Sequence, residues 1–402
     1  MYIHDRGGMI MSSNQKDTIW TGKFILVIVM AMFSGLAAQL TYPLVARFSL
    51  TLNPDITLAG TIAGLMSLMS LFVCPFAGLL SDRFSRKRIL QVSSICYAAV
   101  LLMHAFIRTI PALVVLRLLV GVFFSINSVT VVAFSTAFIP SSRIGEGLGY
   151  TALANVLSQA AGPAIGLKLV EISGYPSTFI SAAVSVLLCA VVITILPYRE
   201  ENSKEKKKFS FNDLFAAEFT GFMLLSALFA GCSGLVATYL AILADQRGIA
   251  NIALFFTVYS LSMVVFRPYS GKVYDRKGVY FVLIPAVICT AGAMVLIGFG
   301  KTLAVMIAAS LFNALGQGAG VPTLQADVIR KLDKSRTGVA TSTIQIGQNI
   351  GNALAPMAGS FMVKSLGYRA MFCTAAAVIT AAGLFLLYLQ RVREKKRSLS
   401  LQ

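Results

Sequence analysis

The stretch Gly78-Leu79-Leu80-Ser81-Asp82-Arg83-Phe84-Ser85-Arg86-Lys87-Arg88 constrains this chain most, because it returns. At an offset of 193 positions the sequence reads Gly271-Lys272-Val273-Tyr274-Asp275-Arg276-Lys277-Gly278. The same offset carries Arg143-Ile144-Gly145 onto Arg336-Thr337-Gly338, and Gly162-Pro163-Ala164-Ile165-Gly166 onto Ala355-Pro356-Met357-Ala358-Gly359. It also carries Gly174-Tyr175 onto Gly367-Tyr368. Segments that agree in one register make each half of the chain a diverged copy of the other.

Of the 402 residues, 57% are hydrophobic and 12% charged. Soluble proteins carry about 25% charged residues. Apolar runs of about 20 residues recur along the whole chain, long enough to cross a bilayer as helices. Twelve spans are predicted near 22–46, 58–81, 89–107, 111–139, 145–170, 176–197, 214–243, 250–272, 279–299, 302–329, 337–364 and 370–390. The fold expected is an all-α membrane protein with two pseudo-symmetric six-helix bundles. Residues 1–21 form an N-terminal tail, 22–197 the first bundle, 198–213 a charged linker, 214–390 the second bundle and 391–402 a basic tail. A duplicated membrane bundle with charged turns at matching places is the layout of a secondary transporter.

The net charge of +18 is distributed by side. Of the 34 Lys and Arg, 25 fall on the tails, the linker and alternate loops. Arg47, Arg108, Lys168, Arg247, Lys301, Lys364 and Arg369 fall on the other side, and Arg117 and Arg267 inside spans. This bias puts both termini in the cytoplasm. Its basic patches meet lipid headgroups, not nucleic acid. The polar first 18 residues read as no signal peptide, and Met9 and Met11 are alternative starts. The six cysteines lie in apolar spans without CxxC spacing or a His cluster, so they read as core residues, not as metal ligands. His104 reads as a packed residue. No phosphate-cradling motif is present and no cofactor or enzymatic activity is expected.

Polar side chains inside the spans form stripes. Asn155 and Gln159, and likewise Asn313 and Gln317, stand at i, i+4. Gln345, Gln348, Asn349 and Asn352 share one helix face. Gln39, Tyr42, Asn127 and Tyr239 complete the set. Amides turned to lipid are costly, so these residues face a cavity or bond between helices. Gly162, Pro163, Gly166, Pro356 and Gly359 bring small residues and a bend to matching places in the two halves. Arg117, in the fourth span, costs about 2.5–3.5 kcal/mol to insert and so requires a cavity or a partner. Arg267, beside Pro268, is expected to snorkel to the membrane surface. No carboxylate lies at mid-membrane.

From about residue 20 to 390 the chain resembles the major facilitator superfamily. Gly78 to Arg88 is similar to that family's G-x-x-x-D-R-x-G-R-K motif, with Ser85 standing for the glycine. Arg117-Leu118-Leu119-Val120-Gly121 resembles its R-x-x-x-G motif. Ser158 to Gly166 resembles G-x-x-x-G-P-x-x-G, the motif of twelve-span drug:proton antiporters. The resemblance implies that Asp82 reaches the start of span eleven and that Asp275 mirrors it toward the start of span five, near Arg143. Helix N-termini carry roughly +0.5 of a charge there. Gly78, Arg83, Arg86, Gly271 and Arg276 would complete a latch on that side. For Arg117 it implies a part in proton coupling, and for the amide stripes a central path.

A monomeric, proton-coupled exporter of small amphiphilic molecules in a bacterial plasma membrane is the function implied. Uptake of a metabolite on the same fold, and a non-transporting sensor or lipid-handling protein, are the alternatives. One prediction concerns sidedness. Green fluorescent protein fused after Gln402 fluoresces in cells, whereas alkaline phosphatase fused there is inactive; the reverse pair of results inverts the topology.

Overall fold

The computed structural model describes residues 19–140, 143–198, 217–331 and 337–399. The linker and most of the N-terminal tail lie outside these residues. A bilayer offers no partner to a free backbone N–H or C=O, so apolar segments of this length close their own hydrogen bonds as helices. In order they are α1 (Gly22–Thr41), α2 (Val45–Leu52), α3 (Ile56–Arg83), α4 (Arg86–His104), α5 (Ile110–Ser135), α6 (Ile144–Ile195), α7 (Thr220–Arg247), α8 (Ala253–Lys277), α9 (Tyr280–Phe299), α10 (Leu303–Lys331) and α11 (Thr337–Leu399).

Among the described residues, eight stretches are long and apolar enough to cross a membrane. Two of these, in α6 and α11, each contain two crossings folded back on themselves. In α6 the reversal is at Gly174, with φ 77° and ψ 178°. Thr178 Oγ1 donates to the Gly166 carbonyl at 3.3 Å, twelve residues earlier. A straight helix would hold those residues about 18 Å apart. Gly367 repeats the backbone in α11, with φ 81° and ψ 170°. α4 and α8 also cross, although charged residues along them (Arg86, Lys87 and Arg88 in one; Arg267 and Lys272 in the other) lower their hydropathy. Counted this way, the described helices supply twelve crossings, six in each half.

The main boundary differences from the sequence expectation lie in the first span, between spans five and six, and at the C-terminal end, where α11 runs to Leu399 through the basic segment expected as a tail. The first span continues to Leu52, because α1 bends at Tyr42–Leu44, around Pro43, and resumes as α2. The loop expected between spans five and six is a reversal at a single glycine. The motif that opens the repeat also ends differently in its two copies. Gly278 closes α8 with φ 87°, whereas Ser85, at φ −56°, caps α4 by accepting the Arg88 N–H at 3.5 Å.

The halves meet through equivalent surfaces: α3 packs on α11 and α8 packs on α6. Under the 193-position shift α3 becomes α8 and α6 becomes α11, so the two contacts are related by a pseudo-twofold axis. Within the first half α1 lies along α6, and within the second α7 lies along α11. Small residues make both approaches possible. A Cβ on Gly162 or Gly166 would strike the α1 backbone at Gln39 or Leu40, and one on Gly351 would strike the Ala227 carbonyl of α7. Ser158 Oγ donates to the Met32 carbonyl at 2.9 Å, and Ser226 Oγ to the Ile344 carbonyl at 3.0 Å.

Backbones at Gly174 and Gly367 lie where side chains are strained. Gly174→Ala and Gly367→Ala should each cost roughly 1–3 kcal/mol. Thermal unfolding of the purified protein in detergent reads the loss. Gly22→Ala, at a site where a Cβ meets nothing within 4 Å, is the neutral control.

Candidate functional site

Between the halves lies a cavity of about 370 Å³. It is lined by Gln39, Tyr42, Gln159, Asn313, Gln317, Gln345, Gln348, Asn349 and Asn352 among the residues expected from the sequence. Helical periodicity explains their convergence. The four amides of α11 share one stripe, and α10 contributes Asn313 and Gln317 from adjacent turns. Gln317 Nε2 donates to the Phe229 carbonyl at 2.6 Å, fixing its amide. Asn313 Oδ1 is buried without a hydrogen-bond partner.

Three other members of that expectation lie elsewhere. Asn127 is buried between helices, accepting from Ser34 Oγ at 2.7 Å and donating to Ser94 Oγ at 2.7 Å. It joins α5 to α1 and α4. Tyr239 is fully buried and donates to the Pro356 carbonyl at 2.6 Å, bracing α7 against α11. Asn155 is exposed, one turn from Gln159 and beside Gly35. Polarity alone did not separate helix–helix joints from cavity wall.

The cavity also takes residues that the stripes did not flag: Ser67, Ser70, Phe124, Ser233, Phe255, Phe256 and Tyr259. The repeat carried a signal for some of them. Met66 and Ser70 on α3 line it at the positions that Tyr259 and Met263 occupy on α8, and Phe124 lines it opposite its counterpart Gln317.

Beyond the cavity, on the side away from the termini, the halves are closed. Arg47 and Asp245 pair across them, with Nε to Oδ2 at 2.8 Å and Nη2 to Oδ1 at 3.0 Å. Lys364 approaches Asp55 at 3.6 Å. Asp55 also accepts the Thr57 N–H at 2.9 Å, and that bond, helped by Lys364, holds its carboxyl below the ordinary range. Underneath, a Cβ on Gly60 would meet Tyr239, Ser360 and Pro356, and one on Gly64 the Ala353 carbonyl. Leu44, Ala46, Ala59, Ala63 and Leu167 of the first half join the apolar core of the second. On the termini side the contact among the described residues is looser. A Cβ on Gly78 or Gly271 would meet nothing within 4 Å.

The expected latch residues lie on that looser side. Asp275, Arg276 and Arg83 are exposed. Arg86 donates to the Ala133 carbonyl at 3.0 Å, tying the motif to the end of α5. Arg143 pairs with Glu146 of its own helix at 2.7 Å. Gly145 and Gly338 lie in the first turns of α6 and α11, whereas the Asp82 side chain and Arg336 lie outside the described residues.

The two arginines within the spans differ. Arg117 is buried behind the wall, its Nη2 3.5 Å from the Ala63 carbonyl and its Nε without a partner. The titratable groups within its electrostatic reach are Tyr97, Tyr42 and His104. His104 is packed on Phe179 and bonded to the Val100 carbonyl at 2.8 Å. Arg267 corrects the snorkelling expectation: it lines the cavity, on the α8 face that continues from Tyr259 and Met263. No carboxylate lines the cavity among the described residues. The acidic Asp327 is buried near the end of α10, bound by Lys331 at 2.6 Å and by the Tyr274 hydroxyl at 3.1 Å.

The family model of the Major Facilitator Superfamily matches residues 27–346 and 222–402. Multidrug resistance protein MdtG of Citrobacter koseri is 26% identical over 339 residues, covering 80% of this chain and 82% of its own. Among solved structures, a POT family transporter in complex with 5-aminolevulinic acid superposes with a TM-score of 0.78 at 13% identity, covering 92% of this chain and 96% of that one. The nucleoside transporter NupG does so with a TM-score of 0.73 at 12% identity, covering 92% and 99%. At such identities the structures establish the shared fold alone.

The division between joint and wall is testable by stability. Tyr239→Phe should lose about 1 kcal/mol, since it removes a buried hydrogen bond. Gln348→Ala, on the open wall, should change stability by less than about 0.5 kcal/mol. Thermal unfolding in detergent distinguishes them, and equal losses would put Gln348 in a joint as well.

Proposed function

We propose, from the premise that this chain belongs to the Major Facilitator Superfamily, that it is a proton-coupled exporter of small amphiphilic molecules. The superfamily match and the transporter fold make it a membrane transport protein. The observation that carries the finer reading is the cavity: polar amides and aromatic rings at the pseudo-twofold, shut on one side and loosely held on the other. That is a substrate site caught in one arm of an alternating-access cycle. Its relatives named multidrug resistance proteins favour efflux. With the basic termini side in the cytoplasm of a bacterial plasma membrane, the cavity faces inward in this state, ready to load from the cytoplasm or the inner leaflet.

In the opposite state the seal on the far side opens and the termini side closes. Asp82 then meets the start of the first arm of α11, and Asp275 the start of α6, each carboxylate facing a helix N-terminus. Gly78 and Gly271 leave room for that approach. The ion pairs of the present seal are exposed, and such pairs contribute about 0–1 kcal/mol each. A seal of that strength is reversible within the range that substrate and proton binding supply.

Arg117 serves coupling in this reading. An arginine does not release its own proton, so it acts on neighbours, through the field it sets up at the wall residue Tyr42. The test is transport in proteoliposomes with an imposed pH gradient, using a screen of amphiphiles. Wild type should accumulate at least one of them only when the gradient is present. Arg117→Ala should abolish the gradient dependence. Arg117→Lys, which keeps charge but loses the planar fork, should fall nearly as far. Full transport by Arg117→Ala at wild-type abundance would make Arg117 a structural residue.

A further inference from the structure

We propose that the cavity is an anion site, in which Arg267 receives the carboxylate of an amphiphilic organic anion while the aromatic wall takes the apolar body. The inference rests on the reading of this cavity as the substrate site and names the class of substrate.

Arg267 is the one charged residue lining the cavity among the described residues. Its Nε is buried and has no hydrogen-bond partner. A guanidinium presents its donors in a fixed fork that matches a carboxylate with two parallel bonds. Such a group, held in a protein wall with its Nε–H unused, is completed by a ligand that brings an acceptor. The buried acid Asp327 is engaged by Lys331 and Tyr274, and Asp275, two turns along α8, is exposed. Neither of them lines the cavity.

A second polar group in the wall is also unsatisfied. The Asn313 amide on α10 has a buried Oδ1 without a partner. Which amide atom points inward is an assignment, and turned over it offers an N–H. Arg117 adds positive potential from behind the opposite wall without touching the ligand, and low-dielectric walls focus that field into the cavity. Phe255, Phe256 and Met263 supply apolar surface on the Arg267 side, and Phe124 does so on the other. A cation entering here meets Arg267, feels the field of Arg117 behind the wall, and finds no carboxylate among the described residues. An anion with an aromatic or aliphatic body meets a matched fork and a ring-lined wall.

A matched trio of ligands tests the charge preference at constant shape: 2-naphthoate, 2-naphthamide and 2-naphthylmethylammonium. Equilibrium binding is measured on the full chain in lipid nanodiscs, with protein-free nanodiscs subtracting membrane partition. Naphthoate should bind at least roughly tenfold tighter than the amide, and the ammonium weakest. Arg267→Gln should weaken naphthoate by roughly tenfold and the neutral amide by less than about threefold, so the amide reports that the variant is folded. Arg267→Lys should retain part of the preference. Equal binding of all three, a preference for the cation, no measurable naphthoate binding, or an unchanged naphthoate affinity in Arg267→Gln would overturn the proposal. Naphthoate movement into proteoliposomes is followed separately. Anion-selective binding without gradient-driven movement leaves the site standing and removes the transport reading. Movement of the neutral amide without any anion preference does the reverse.

Discussion

Lipid tails are as apolar as the helices they surround, so burial of apolar surface does not press one membrane helix onto another. What holds this molecule together is how closely helix backbones approach. That distance is set by small residues at a few crossings. Gly162 and Gly166 admit the α1 backbone, and Gly351 admits α7. Gly60 and Gly64 admit α11 from the other half. Large apolar side chains such as Phe72, Phe76 and Ile172 are left on the outer surface, where lipid accepts them. The hydrogen bonds from Ser158, Ser226 and Tyr239 to backbone carbonyls then fix crossings that the glycines have already allowed.

The same rule explains the asymmetry of the interface between halves. Where α3 carries Gly60 and Gly64 it lies against α11, and side chains from both halves share one core. Toward the termini a Cβ on Gly78 or Gly271 of the repeated motif would meet nothing within 4 Å among the described residues. Small residues thus occur at both ends of α3, but among the described residues only one end is engaged. A helix provided with close-approach positions at both ends, in two copies related by a pseudo-twofold, is built for two alternative contacts. The ion pairs above the closed end add orientation more than strength, because both are open to water.

Charge inside the membrane is used sparingly and asymmetrically. Each half contributes one arginine within the spans, but not at equivalent positions: the counterpart of Arg267 is Cys74, which lies near Asn349. The two halves therefore form a cavity whose frame is symmetric and whose chemistry is not. The amides and rings come from both halves, while the cation that lines the wall comes from one.

Reading the sequence alone was enough to establish the duplication, the membrane class and the helical architecture. These depend on periodic and local properties: apolar length, a register that repeats, and glycines where the chain must turn. The α11 stripe was legible for the same reason, since four amides at helical spacing share a face whatever surrounds them. What surrounds them was decided by tertiary structure. Asn127 and Tyr239 carry the same polarity as Gln348, yet lie in helix–helix joints, because the side a helix turns to its neighbours depends on where those neighbours stand. Arg267 was placed at the membrane surface from its distance to the helix end, and the packing of α8 on α6 and α10 instead turned it to the cavity. Which end of the interface is closed could not be read from the sequence, because the repeat provides glycines at both ends and only the three-dimensional contact selects one.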